Sequence, residues 1–149
     1  MKSRLILTLL LLIGIRCAHA PSSAAVTSLI TRIDAGDESA ARHAVGLLPK
    51  LSGGDLEDTM RAIGALAVNR PRVFLRVMTG KYVDAARIER IVTMLPLSSV
   101  DDDAERLRLV RARIDALSAI SDAELGHPRD VAIAALHRYE QELTLPAAH

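Results

Sequence analysis

The 149-residue chain carries 19 Lys and Arg against 18 Asp and Glu, a formal net charge of +1, with half of its residues hydrophobic and one cysteine. This balance gives no electrostatic case for nucleic-acid binding, which rests on a markedly basic surface, and none for a membrane-surface protein. Aromatic residues make up 2%, too few for the stacking platforms that sugar and base recognition use.

The N-terminus reads as a secretory leader. Lys2 and Arg4 form a basic start, Leu5 to Ile15 an 11-residue apolar stretch, and small residues follow. A membrane span needs about 20 apolar residues, and this stretch ends at Arg16. Lipid attachment at Cys17 is disfavoured, because Gly14, Ile15 and Arg16 before it lack the Leu of a lipobox and place a cation beside the Cys. Ala18-His19-Ala20 has the small-x-small form of a cleavage site, so residues 1–20 are expected to be removed. Pro21 next to that bond is unfavourable in an extended substrate, and Ser22-Ser23-Ala24 or Ser23-Ala24-Ala25 shift the cut to 24 or 25. Processing after Ala20 removes Lys2, Arg4 and Arg16, leaving 16 basic against 18 acidic residues and no cysteine. An exported chain without a disulfide relies on burial for its stability.

From there the apolar spacing is helical. A first helix is expected from Ala24 to Asp34, ended by Gly36. Asp37 caps a second, with Ala41, Ala44, Val45 and Leu48 inward and Pro49 as its stop. After Ser52-Gly53-Gly54, Asp55 opens a third helix whose face is Leu56, Met60, Ile63 and Ala67. Pro71 starts a short fourth through Val73, Phe74, Val77 and Met78, ended by Gly80. Asp84 caps a fifth, with Ile88, Ile91, Val92 and Leu95 inward and Pro96 at its end. The sixth begins between Ser98 and Asp103 and carries the stripe Leu107, Val110, Ile114 and Leu117. Pro128 opens a last helix to about Leu143, and residues 146–149 form a frayed tail.

No window has the period of two that marks a strand, and no linker divides the chain. The expected fold is therefore all-α: residues 21–145 form a single domain of six to seven antiparallel helices, as a compact bundle or a short array. Two segments, Asp37 to Arg42 and Asp55 to Arg61, resemble the second helix of HEAT-type repeats over about 30 residues. Their Asp-to-Arg spacings differ, five in one and six in the other, and a repeat array has a fixed period. The resemblance is one of helix-packing grammar.

Chemistry-bearing patterns are sparse. His43, His127, His137 and His149 show neither i, i+4 pairing nor zinc-ligand spacing, so no metal site is assigned. Asp101-Asp102-Asp103 with Glu105 lacks the glycine turn and alternating ligands of a calcium loop. It suits a helix N-terminus, where free N–H groups favour carboxylates. Arg106, Arg108, Arg111 and Arg113 read as a salt-bridged exposed face, with Asp102–Arg106 and Arg111–Asp115 at i, i+4. No Gly-x-Ser-x-Gly, Ser-x-x-Lys or phosphate loop occurs. Arg70, Arg72 and Arg76 around Pro71, beside the only phenylalanine, Phe74, are the candidate partner-binding surface.

These patterns point to an exported helical protein-interaction module of the inhibitor, adaptor or immunity type, periplasmic or secreted. Its expected partner is another protein in the envelope or outside the cell. No nucleic acid, cofactor, catalytic chemistry or stable membrane span after processing is expected. The alternative is a carrier of a small apolar ligand in a cavity of the bundle.

Overall fold

A computed structural model describes residues 21–145. The leader assigned to residues 1–20 and the tail at 146–149 lie outside the described residues. Seven α-helices are present among the described residues: α1 (Ser23–Asp34), α2 (Glu38–Leu47), α3 (Gly53–Asn69), α4 (Pro71–Met78), α5 (Ala85–Val92), α6 (Asp103–Ser118) and α7 (Gly126–Thr144). Short 3-10 turns at Leu48–Lys50, Leu97–Ser99 and Ala123–Leu125 join them, and no strand occurs among the described residues. The all-α expectation holds.

The helix ends follow from side chains that take up orphan backbone groups. Gly36, at φ 86°, closes α1: its N–H bonds the Ile33 carbonyl at 2.8 Å, and the Asp37 N–H bonds the Arg32 carbonyl at 3.0 Å. This is the Schellman arrangement, which needs a left-handed residue at that point. Asp37 then starts the next helix, its carboxylate accepting the Ala40 N–H at 3.0 Å while also pairing with Arg32 at 2.6 Å. The Ala40 N–H, with Arg32 second, holds the Asp37 carboxyl down at about 2. Asp84 and Asp102 cap α5 and α6 in the same way, at 2.8 and 2.9 Å, so Asp102 has the helix-start role read for the acidic run.

Several boundaries differ from the sequence reading. Helix α2 ends at Leu47, with Pro49 inside the 3-10 turn that follows, and α5 ends at Val92, before the Leu95 and Pro96 assigned to its end. Helix α3 starts at Gly53, not Asp55, and Gly53 has the positive φ (54°) that glycine tolerates. Helix α6 is preceded by a separate 3-10 turn, which tucks Ser99 inward with its hydroxyl donating to the Pro96 carbonyl at 2.7 Å. Helix α7 begins at Gly126 with Pro128 inside its first turn, where a missing N–H costs no helical bond.

Helix α3 is the hub and packs on α1, α4, α5 and α6. The first four helices form a square, with α1 against α2, α3 against α4, α1 against α3 and α2 against α4. Helix α7 closes the other end against α5 and α6 and reaches α4. One apolar cluster runs through the whole set, from Val26 on α1 to Leu136 on α7. Phe74, Ile33, Ile63, Leu75, Ile91 and Leu136 are inaccessible to solvent. With so few aromatics, alanines let the helices approach: Ala40, Ala41, Ala44, Ala67, Ala132 and Ala135 are all buried. Gly64 carries this furthest, since a Cβ there would lie 2.6 Å from the Ile91 carbonyl oxygen.

The buried face of α6 is turned relative to the expected stripe. Val110 and Leu117 are buried, whereas Leu107 and Ile114 are half-buried and Arg113 is buried between them at 4% exposure. Arg113 is therefore not part of an exposed charged face. Its Nη1 donates to the Val92 carbonyl at the C-terminus of α5, where the helix dipole favours a cation. Burial pushes its pKa down to about 10, still well above neutral. The two expected i, i+4 pairs are also replaced: Arg106 pairs with Asp103, and Arg111 reaches Glu140 on α7 at 2.7 Å. Caps and tertiary neighbours outcompete the i, i+4 partner because each exposed pair is weak.

Candidate interaction surface

The groove between α3 and α5 brings the candidate surface together. At one end a cleft of ≈ 200 Å³ has Leu48, Pro49, Leu56, Met60 and Ile91 as its apolar wall and Arg87 and Arg90 along its rim. Leu56 and Met60 also line a second cleft, of ≈ 490 Å³, which continues past Arg61 to Pro96, Leu97, Val100, Arg106 and Tyr139. Arg61, Pro96 and Leu97 in turn border a third cleft, of ≈ 530 Å³, along α1 and α3. The three clefts thus share residues in succession and wind around α3, from Leu56 and Met60 past Glu57 and Arg61 to Asp58, Ala62 and Ala65.

The Pro96–Val100 segment shapes the middle of this run of clefts. Pro96 ends the approach from α5, and Ser99 is anchored inward at 1% exposure. Anchoring one side of the turn leaves Leu97 and Val100 pointing outward at 65% and 54% exposure. Beside them, Arg61 bonds Glu57 at 2.9 Å and also pairs with Asp58, both on its own helix. Arg106 has Tyr139 and Asp103 beside it, which raise its pKa. The Nε atoms of Arg61 and Arg106 are buried without a hydrogen-bond partner.

The sequence-predicted cluster lands elsewhere and is largely engaged. Arg72 pairs with Asp122 before α7, and Arg76 reaches Glu38 on α2 at 2.7 Å, where it joins Arg42 in holding the Glu38 carboxyl below its ordinary range. Arg70 lies over Gly36, its Nε 3.2 Å from where a Cβ would stand. Phe74 is fully buried and adds nothing to the surface. Arg72 and Arg76 tie α4 to its neighbours. Of the histidines, His43 and His127 are exposed, and His137 sits 3.4 Å from Glu140. Among the described residues no group of three or more His, Cys, Asp or Glu is placed to hold a metal ion, and no helix is long and apolar enough to cross a membrane.

Sequence reasoning passed over Leu97, Val100, Arg87 and Arg90. The spacing of Arg87 and Arg90 does put both on one helix face. The exposure of Leu97 and Val100 follows from the Ser99 anchor, which has no sequence signature.

No protein-family model matches the sequence, and no curated protein and no solved structure matches it.

Proposed function

We propose that this chain is an exported helical protein-interaction module that receives a segment of its partner along the α3–α5 groove. The observation that carries the reading is the pair Leu97 and Val100, strongly exposed apolar side chains at the lip of a cleft with apolar and guanidinium walls. Apolar surface rimmed by polar groups is characteristic of association sites. The described clefts are open grooves, which suits an extended or helical segment of a protein better than an enclosed small ligand. The reading involves no catalytic step and no cofactor.

Export rests on the leader grammar of residues 1–20. Processing after Ala20 keeps Ser22, whose hydroxyl accepts the Ala25 N–H at the start of α1, and Ser23, whose hydroxyl donates to Asp55 at 2.8 Å. A cut after Ala24 or Ala25 removes both contacts, so the fold favours the first site.

Affinity capture from the host's own envelope and medium tests the reading, with wild type compared against Leu97→Asp/Val100→Asp. Both positions are exposed, so the variant keeps its helical circular dichroism. A stoichiometric protein partner retained by wild type and lost by the variant is expected. No retained protein, or the same proteins on both, refutes it. N-terminal sequencing of the same material is expected to start at Pro21, and a start at Met1 would rule out processing.

A further inference from the structure

The charge pattern beside the groove gives the partner a chemistry. Most arginines of the described residues pair with a carboxylate, as Arg32, Arg42, Arg72, Arg76, Arg108, Arg111 and Arg138 do. Lys50, Arg70, Lys81, Arg87, Arg90 and Arg113 make no such pair among the described residues; Arg113 is buried on the Val92 carbonyl and Arg70 lies over Gly36, which leaves Lys50, Lys81, Arg87 and Arg90. Arg87 and Arg90 line the ≈ 200 Å³ cleft from α5, and Lys50 follows Pro49, which lines it from the opposite side. Lys81 lies over the Tyr82 ring at 5.8 Å, and the Tyr82 carbonyl accepts from Arg87.

Two nearby carboxylates have partners of their own, and Asp84, which lines the cleft, offsets part of its positive charge. Asp84 borders the cleft but accepts the Arg87 backbone N–H as the cap of α5. Glu89, on the same helix, reaches Arg138 at 2.7 Å. The cleft floor is recessed, with Leu48, Met60 and Ile91 at 7%, 5% and 0% exposure. A bilayer surface is met by apolar groups that protrude, whereas a recessed apolar floor between cations fits a protruding apolar side chain flanked by anions.

We infer that this edge recognises a protein segment in which an apolar side chain is flanked by Asp or Glu. The apolar side chain sits against Leu48, Met60 and Ile91, and the carboxylates meet Arg87, Arg90 and Lys50. Arginine suits this role because its fork matches a carboxylate in two parallel hydrogen bonds. The inference rests on the protein-interaction reading above and narrows it.

The test selects a displayed pool of random short peptides on protein purified from its host, in parallel with Arg87→Glu/Arg90→Glu. Arg87→Gln/Arg90→Gln serves as a second variant, in case charge reversal perturbs the cap of α5. Wild type is expected to enrich peptides that combine acidic and apolar residues. Fluorescence anisotropy of the most enriched peptide should weaken about tenfold on either variant and with added salt. Absence of acidic enrichment, or equal affinity on wild type and both variants, overturns the inference. Phosphatidylcholine vesicles with and without phosphatidylglycerol form the other arm. Binding to the anionic vesicles that is lost on the variants, without peptide enrichment, assigns the edge to lipid instead. The host partner separates the two levels of the proposal. If it is captured equally by wild type and Arg87→Glu/Arg90→Glu but lost by Leu97→Asp/Val100→Asp, the acidic chemistry fails while the module reading stands.

Discussion

Replacing Gly64 by alanine sets two effects of known size against each other. Gly64 lies mid-way along α3, buried where α5 ends against it. In helix interiors alanine is favoured over glycine by about 0.8–1.0 kcal/mol, so propensity alone predicts a stabilised protein. The geometry opposes this. The new Cβ would stand 2.6 Å from the Ile91 carbonyl oxygen, 3.3 Å from that of Met94 and 3.5 Å from Arg113 Nη1. Ordinary contact begins near 3.4 Å, so about 0.8 Å of clearance is missing, and the obstacle is backbone that cannot rotate away. The Ile91 carbonyl also accepts the Met94 N–H at 3.3 Å, and the adjacent Val92 carbonyl holds Arg113, so moving α5 loosens both. Overpacking of this kind costs about 1–3 kcal/mol, and the two contacts at stake place it at the upper end. The expected net loss is about 1–2 kcal/mol. Gly46→Ala is the matched control: it lies in α2 with nothing within 4 Å of the added Cβ, and should gain up to about 1 kcal/mol. Urea unfolding followed by circular dichroism should therefore place the two midpoints on opposite sides of wild type, roughly 1 M apart for a chain of this size. A Gly64→Ala protein as stable as Gly46→Ala would refute the close crossing of α3 and α5.

Three further outcomes follow from the packing and the charges. Phe74→Ala, at a fully buried site, should cost about 3–5 kcal/mol, read by the same urea titration. Arg72→Ala and Arg76→Ala remove pairs whose members are 31–57% exposed, and each should change stability by at most about 1 kcal/mol; a larger loss would mean that α4 depends on them. The Asp37 carboxyl, lowered to about 2 by the Ala40 N–H and Arg32, contributes stability that is complete above its unfolded pKa of about 3.9 and is lost as pH falls toward 2. Asp37→Asn should thus be less stable than wild type at about pH 6, with a gap that narrows below about pH 4 and closes only below about pH 2; a gap that stays constant with pH would show that the charge plays no part.

The fold was legible because its signals are local. Asp37, Asp84 and Pro71 announce helix starts, and Gly36 announces an end, through chemistry confined to a few residues. The face of α3 through Met60, Ile63 and Ala67 could be read because a helix period alone fixes which side chains align. The site was less legible because its determinants are tertiary. Arg113 looks like its neighbours Arg111 and Arg108 in sequence; it is buried because the end of α5 presents an unpaired carbonyl at that height of α6. Arg70, Arg72 and Arg76 form the denser run in sequence, yet Arg72 and Arg76 are neutralised by Asp122 and Glu38, 50 and 38 residues away.

Topology explains why α5 keeps the cations that α4 does not. Helix α4 packs on α2 and α3 and reaches α7, so its arginines meet carboxylates from α2 and from the turn before α7. Helix α5 packs chiefly on α3 and α7. Among the described residues its carboxylate bridge, Glu89 to Arg138, runs to α7, while Arg87 and Arg90 border a cleft whose lining carboxylate is Asp84, the cap of α5 itself. A surface cation needs no partner while water solvates it, so the surplus alone would signify little. Its position gives it meaning: Arg87 and Arg90 border a recess lined by Leu48, Met60 and Ile91, and Leu56 and Met60 continue from there into the cleft of Leu97 and Val100. Desolvating an arginine beside apolar surface is favourable only when a carboxylate arrives with the group that displaces the water. An acidic segment carrying an apolar side chain meets both requirements at once, and a purely apolar or a purely acidic one meets only half.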